Sequence, residues 1–318
     1  MKDCLKIINN NKMKKIVSLL LCLGIMYAVQ AQVQKTTTQP GKLVKIVEKR
    51  KVVKKKVTKK VVKRLVVRDS NTNRIVEINT DMGVMKVLLY NETPNHRDNF
   101  IKLVKQHFFD SLLFHRVIKG FMIQGGDPTS KNVDSSAMLG NGDVGYKIPA
   151  EIVNGIWHKR GALAAARDNN PEKASSGCQF YIVDGQKFKR EDLANTMNQK
   201  NLNRKQKIFY DIIQKDSINA TINAFQTAKD KEGLTKYIET LKPSVEEEYQ
   251  KTGGDFIYDE PQVETYETVG GAPHLDGDYT VFGELIEGFD VLDKIASASK
   301  NQSDRPLQDI RMKMRMLN

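Results

Sequence analysis

Cysteine is scarce in this 318-residue chain, which contains only Cys4, Cys22 and Cys178. The first two fall within the first 31 residues, a segment with the features of a removable leader. Without that leader Cys178 stands alone, so no intramolecular disulfide can form. A lone cysteine in an oxidising compartment is best interpreted as buried, and the sequence identifies no histidine partner for it. A disulfide framework and a cysteine nucleophile therefore both lack support.

Long apolar runs are also missing. The run from Ile16 to Val29 is too short for a comfortable membrane span. It follows two lysines and ends in small residues, with Ala31 suited to the last position before a cut. We therefore predict that residues 1–31 form a signal peptide. The protein is then exported to the periplasm or cell envelope, or secreted.

Acidic residues are nearly absent from residues 42–68, where thirteen Lys/Arg stand against Glu48 alone. This stretch has a net charge of +12, and residues 69–318 have a net charge of −4, in a chain whose total is +13. The basic character thus belongs to a low-complexity arm, residues 32–73.

Two interpretations of the arm stay open. It can be a solvated, disordered linker, because its β-branched residues disfavour an isolated helix. It can also bind an anionic membrane surface or envelope polymer through residues 42–68. Nucleic acid is the less favoured partner, because the arm contains no aromatic side chain for stacking on bases.

From Arg74 onwards the pattern changes to short strands separated by turns. A hairpin is predicted around Thr80–Gly83, then a helix with Thr93 as N-cap and Pro94 at its first position. A second amphipathic helix is predicted at 288–296 and a closing strand at 309–317. The pattern predicts a mainly β domain, residues 74–318, built as a closed antiparallel barrel capped by two helices.

The strand pattern stops between about 186 and 271. Apolar residues there recur at helical spacing, as in Phe209, Ile212 and Ile213, and Pro243 is expected to break the run. We interpret this segment as a helical insertion in the barrel.

Three motifs carry the chemistry. "FHRVIKGFMIQGGD" at 114–127 sets one arginine and one glutamine among large apolar residues. "SSGCQFYI" begins at Ser175, and "HLDGDYTVFGEL" begins at His274. All three resemble signature segments of the cyclophilin family of peptidyl-prolyl cis–trans isomerases. The resemblance covers Arg74 to about Gly185 and Gly270 to Leu317, and it implies the family's eight-stranded barrel.

The chemistry of these residues suits the family's reaction. Rotation about a peptide bond has a barrier of ~18–20 kcal/mol, but it makes and breaks no covalent bond. Neither a nucleophile, a metal nor another cofactor is required. A surface that grips proline and a cation that stabilises the twisted amide are enough.

The resemblance also implies roles for individual residues. The catalytic set is Arg116, Phe121 and Gln124. The implied substrate-binding positions are Met122, Ala166, Gln179, Phe180, Leu275, Tyr279 and Phe282. From spacing alone, an apolar residue on a barrel strand is more often core than ligand contact. Tyr279 stands where the family often has histidine, and His274 where it often has tryptophan.

The resulting hypothesis is an exported peptidyl-prolyl isomerase that acts as a foldase on proline-containing polypeptides. The alternative is a non-enzymatic barrel of the same kind, which holds proline peptides as a chaperone or scaffold. The intact set of Arg116, Phe121 and Gln124 favours the enzyme.

Overall fold

A hairpin opens the folded part of the chain because two alternating apolar runs flank a tight turn. Ile75–Thr80 pairs with Gly83–Leu89, with Thr80 opposite Gly83. Thr80 Oγ1 donates to Gly83 O at 2.8 Å and accepts from Met82 N at 3.2 Å, which fixes the turn.

This computed structural model describes residues 74–134 and 137–317. The predicted signal peptide and basic arm lie outside the described residues.

Within these described ranges, ten strands and six α-helices follow in chain order. The strands are β1 (Ile75–Thr80), β2 (Gly83–Leu89), β3 (Phe114–Ile118), β4 (Met122–Gly125), β5 (Lys147–Ile148), β6 (Ala162–Ala165), β7 (Ser175–Ser176), β8 (Phe180–Val183), β9 (Val281–Glu287) and β10 (Met312–Leu317). The helices are α1 (Pro94–Lys105), α2 (Arg190–Ile213), α3 (Asp216–Thr227), α4 (Lys231–Lys251), α5 (Glu260–Thr268) and α6 (Phe289–Ala296). None of these helices is long and apolar enough to cross a membrane.

Eight strands form one antiparallel sheet in the order β10-β1-β2-β9-β6-β8-β4-β3, and β5 pairs with β7 separately. Strand β9 therefore joins two groups, β10-β1-β2 on one side and β6-β8-β4-β3 on the other. The domain is mainly β, as predicted.

The expected closure of the barrel is wrong, because the sheet is an open half-barrel. Its edge strands β3 and β10 share no ladder, and only an isolated bridge joins Leu113 to Arg311. Further along β3, Val117 N donates to Asp304 O at 2.8 Å. The loop around Asp304 thus occupies the outer edge of β3, while β10 runs away from this edge beyond the bridge at Arg311.

The main core lies on one face of the sheet. Phe100 of α1 sits among the rings of Phe109, Phe180 and Phe282, with centroids 5.0, 5.5 and 5.4 Å away. Helix α6 buries Val291, Leu292 and Ile295 in the same core. These contacts hold α1 and α6 against the sheet.

The N-terminus of α1 is capped differently from the prediction. Thr93 occupies the N-cap position but makes no side-chain capping hydrogen bond. Glu151 instead accepts from Asn95 N and His96 N, both at 3.0 Å, and from His96 Nδ1 at 2.6 Å. A carboxylate suits this place because it satisfies two of the helix's unpaired N–H groups and faces the positive end of the helix dipole.

Helices α2 to α5 occupy the stretch where the insertion was predicted. The chain leaves and returns at neighbouring points, since Gly271 N donates to Gln186 O at 2.9 Å. A Cβ at Gly271 would lie 2.2 Å from His158 O, so only glycine fits this approach. Pro243 does not break the helical run, because α4 continues through it. Proline removes one main-chain hydrogen bond there, and the remaining turns of the helix tolerate that loss.

The chain divides into two compact units. Among the described residues, one unit comprises 74–215 and 243–317, and it contains every predicted site residue. The other comprises Asp216–Lys242, where the rings of Phe225 and Tyr237 pack with centroids 5.8 Å apart. Within the larger unit, Leu193, Tyr258, Val263 and Tyr266 form an apolar cluster that holds α2 and α5 together.

Candidate active site

Strands β3 and β4 place Arg116 and Gln124 opposite each other. The two residues are register partners in this antiparallel pair. Successive side chains on a strand point to opposite faces, so His115 is buried while the side chain of Arg116 is 43% exposed. The pair therefore brings a cation and an amide to one accessible edge.

Asp304 orients the guanidinium of Arg116. Its Oδ2 lies 3.6 Å from Arg116 Nε, and its Oδ1 accepts from Lys300 Nζ at 2.6 Å. A separation of 3.6 Å is too long for a hydrogen bond. The carboxylate thus steers the arginine by charge without occupying its N–H groups. Sequence reasoning missed Asp304, which lies far along the chain from Arg116.

Gln179 lies beneath Gln124 and holds it in place. Gln124 Nε2 donates to Gln179 Oε1 at 3.0 Å. Gln179 Nε2 in turn donates to Gly140 O at 3.0 Å and Gly142 O at 2.8 Å. Because the NH₂ group of Gln124 is engaged, its Oε1 is the atom presented for a substrate N–H. Gln179 was predicted to line the pocket, and its contacts make it a support for Gln124.

An apolar cluster lies beside this polar pair, and we call it the outer cluster. Its members include five of the predicted residues, namely Phe121, Met122, Ala166, Leu275 and Tyr279. Met122 is buried and the other four are partly exposed. The structure therefore brings a partly exposed apolar surface next to Arg116 and Gln124.

Two predicted positions belong elsewhere. Phe180 and Phe282 are fully buried in the main core, where both pack on Phe100. The residue after Phe180 is Tyr181, which belongs to the outer cluster. Alternation along β8 explains the correction, because adjacent side chains on a strand face opposite sides of the sheet. Tyr181 is the aromatic member of the outer cluster on β8, and the sequence analysis did not single it out.

A buried chain of hydrogen bonds supports Tyr181 from behind. Its hydroxyl lies 3.0 Å from His158 Nε2, and His158 Nδ1 lies 2.8 Å from Asp276 Oδ1. Since a carboxylate can only accept, His158 Nδ1 carries a proton. On the other side, Asp276 Oδ2 accepts from Gln262 Nε2 at 2.6 Å and Tyr266 OH at 2.5 Å.

This chain connects α5 to the outer cluster. Burial, followed by the nearby charge of Asp276, raises the pKa of Tyr266 far above its usual range. Burial likewise raises the pKa of Tyr181. Both phenols therefore keep their protons and act as donors, so the arrangement is a fixed support.

His274 stands at the boundary of the outer cluster. Its ring centroid lies 5.1 Å from that of Phe121, with the planes tilted by 41°. Burial lowers the pKa of His274, and the charge of Lys200 adds to that effect. A neutral imidazole therefore covers one side of Phe121 at neutral pH.

Cys178 is buried, and burial raises the pKa of its thiol to about 11. The thiolate is therefore a minor form at neutral pH, which argues against a nucleophilic role. Across 74–134 and 137–317, no group of three or more His, Cys, Asp or Glu is placed to hold a metal ion.

Two curated relatives are 27% and 29% identical to this chain. A protein of Streptococcus pyogenes, provisionally named a bifunctional phosphatase/peptidyl-prolyl cis–trans isomerase, is 27% identical over 245 residues. The match covers 76% of this chain but only 38% of that relative. A Staphylococcus saprophyticus protein, provisionally named a peptidyl-prolyl cis–trans isomerase, is 29% identical over 70% of this chain and 80% of its own length.

A solved Cryptosporidium parvum cyclophilin-type isomerase, crystallised in the presence of the dipeptide Ala-Pro, is 20% identical with a TM-score of 0.45. The match covers 77% of this chain and 99% of that one.

The family model described as "Cyclophilin type peptidyl-prolyl cis-trans isomerase/CLD" matches residues 75–242 and 260–315. The matched ranges cover well over half of the chain and include Arg116, Phe121 and Gln124. They also run through α2 and α3. The chain therefore belongs to the cyclophilin-type peptidyl-prolyl cis–trans isomerase family.

Proposed function

We propose that this chain catalyses cis–trans isomerisation of X–Pro bonds in polypeptides, without a covalent intermediate. The observation that carries the proposal is the position of Arg116. It stands opposite Gln124, is steered by Asp304, and borders the partly exposed outer cluster. An apolar surface grips a proline ring, and the adjacent cation acts on the amide that precedes it.

The mechanism is electrostatic stabilisation of the twisted amide. Twisting removes resonance, so the amide nitrogen gains a basic lone pair that a guanidinium N–H can meet. The planar ground states lack this lone pair, so the interaction favours the transition state selectively. Gln124 Oε1 accepts from a neighbouring substrate N–H and holds the backbone still while the bond rotates. The outer cluster keeps the proline ring fixed on Phe121.

We further propose that the clients are exported proteins. The support is the sequence of residues 1–31, with its lysines, short apolar run and small residues before the predicted cut. N-terminal sequencing of protein recovered from outside the cytoplasm should then begin at Gln32. An unprocessed chain retained in the cytoplasm would exclude exported clients.

Substitution of Arg116 tests the proposed reaction. We expect Arg116→Ala to lower kcat on a short proline peptide by about 100-fold, the usual effect of losing one preorganised donor. KM should change little, because the guanidinium acts mainly in the twisted state. The matched control is Lys313→Ala, an exposed cation on β10, which should keep wild-type kinetics.

Circular dichroism should show that both variants remain folded. Near wild-type turnover in a folded Arg116→Ala protein would overturn the proposed role. A wild-type protein that binds the peptide without accelerating exchange, as measured by NMR, would support the non-enzymatic alternative.

A further inference from the structure

A polar groove runs along one face of α2, beside the turn Pro273–Leu275. The side chains that face it from α2 include Asn195, Gln199, Lys200, Asn203, Arg204 and Lys207. The opposite wall is formed by His274 and Asp278. No purely hydrocarbon side chain lines this groove among the described residues, so the apolar part of its wall comes from the methylene stems of its long polar side chains. We call it the α2 groove.

The rim of the α2 groove repeats along the helix. Asn195, Gln199, Asn203 and Lys207 are exposed and four residues apart. Four helical residues rise about 6 Å, which is close to the length of two residues of an extended chain. Each carboxamide can both donate and accept a hydrogen bond. Gln199 Nε2 donates to Asn203 Oδ1 at 2.8 Å, and the remaining donors and acceptors of the rim can bond peptide groups of an extended backbone.

The groove also carries excess positive charge. Arg204 donates to Gly254 O at 2.6 Å and Thr252 O at 2.9 Å, and neither carbonyl carries a charge to offset it. Lys200 lies 2.5 Å from Asp278 Oδ2, but this carboxylate is shared with Lys173 at 2.8 Å. The cations outnumber the acids in this wall.

Lys207 has only a weak internal partner. It pairs with Asp211 at 3.0 Å across one helical turn, with both side chains well exposed. Such pairs contribute little and are screened by solvent. An incoming carboxylate can therefore take the place of Asp211.

The groove adjoins the candidate active site through His274. The same imidazole faces the α2 groove and packs against Phe121, with ring centroids 5.1 Å apart. The turn that carries His274 also carries Leu275 of the outer cluster. A polypeptide whose proline rests on Phe121 can therefore pass His274 and continue along α2.

We propose that the α2 groove binds an extended, acidic segment of the client next to the isomerised proline. This inference rests on the proposed isomerase function and specifies which clients the site favours. The amide rim recognises the extended backbone, and Arg204 and Lys207 recognise carboxylates. The groove thus acts as a specificity site for sequences with Glu or Asp near the X–Pro bond.

Matched peptides test this preference. One proline peptide carries a run of Glu on the N-terminal side, another carries it on the C-terminal side, and two further peptides have Gln in the same places. We expect kcat/KM to be roughly five- to tenfold higher for at least one Glu peptide than for its Gln partner, as two exposed ion pairs allow. The difference should reside in KM and shrink as salt rises.

A charge reversal locates the effect. Lys207→Glu should abolish the preference for the Glu peptide, whereas Lys313→Glu on β10 should retain it. Equal kcat/KM for the Glu and Gln peptides in the wild type, or a preference that survives Lys207→Glu, overturns the inference alone. If none of the four peptides is isomerised, the proposed function fails, so the two failures are distinguishable.

Discussion

His115 and Arg116 are neighbours on β3 with opposite surroundings. Arg116 faces the solvent edge, while His115 is buried. Burial lowers the pKa of His115 to about 4. The charge of nearby Asp127 acts in the opposite direction, and the charges of Arg116 and Arg305 lower the pKa further. The folded protein therefore holds a neutral imidazole at a pH where an exposed one would be protonated.

This difference predicts a loss of stability in acid. The unfolded chain protonates His115 near the ordinary histidine pKa of 6.5, above the folded value of about 4. The unfolded state thus binds the extra proton between these pH values, so the stabilisation is complete above 6.5 and declines as pH falls towards 4. As pH falls from 6.5 to 4, the titration of His115 should lower the unfolding free energy of the wild type by about 3 kcal/mol.

Urea unfolding of wild type and His115→Gln at several pH values measures the effect. Glutamine has no titrating group, and all other groups are common to both proteins, so the difference isolates His115. The wild-type curve should fall more steeply with acid. Parallel curves would show that the imidazole is not held neutral by the fold.

The residue scale also shows what sequence can predict. Arg116, Phe121 and Gln124 lie within one contiguous motif, so their grouping on β3 and β4 follows from local pattern. Phe180 and Tyr181 differ by one position, and only the pleat decides which ring faces the core. Asp304 could not be predicted, because its contact with Arg116 depends on the packing of a distant loop against β3.

At the scale of elements, α5 is fastened to the sheet by one buried carboxylate. Asp276 accepts hydrogen bonds from His158 N and Nδ1, Gln262 and Tyr266. Nothing in the local sequence marks Asp276 for this role, because its partners come from two other segments, the loop at His158 and helix α5. The helical character of α2 to α4, in contrast, was predictable from apolar periodicity within the segment itself.

The substitution Asp276→Asn should therefore destabilise the protein. Asparagine turns an NH₂ group towards donors that expect an acceptor, which leaves buried polar groups unpaired. We expect a loss of about 3 kcal/mol in unfolding free energy, measured from urea denaturation. Asp290→Asn is the control, since Asp290 is exposed on α6 and its carboxylate forms an exposed ion pair with Lys294.

KM for a short proline peptide gives a second readout of this change. It should rise in Asp276→Asn, because His158 and Tyr181 lose their support behind the outer cluster. If both variants unfold at the same urea concentration, the carboxylate is not the anchor that its contacts indicate.

At the scale of the whole molecule, charge is divided unevenly along the chain. Residues 42–68 carry +12, while residues 69–318 sum to −4. The candidate site lies entirely in the latter part. We therefore regard the arm as a separate segment that can localise the enzyme without acting in catalysis.

Removal of residues 42–68 tests this division. The full chain should sediment with vesicles that contain anionic phosphatidylserine, and the binding should weaken as salt rises, because each lysine or arginine near such a surface contributes about 1 kcal/mol. The deletion should abolish sedimentation and leave peptide turnover unchanged. Vesicles of neutral phosphatidylcholine are the control. Persistent binding by the shortened chain would mean that the arm is only a solvated linker.

Strand β9 has a further consequence for the order in which the protein folds. Among the described strands it is the only one that forms ladders with both the β10-β1-β2 group and the β6-β8-β4-β3 group of the eight-stranded sheet. During synthesis it emerges only after α2 to α5, long after most of the strands it must join. The two groups cannot merge until this late strand arrives, and contacts so distant in sequence slow folding. A ribosome-bound chain must therefore hold two unfinished sheets with open edges, and such edges can pair with other chains until β9 closes them.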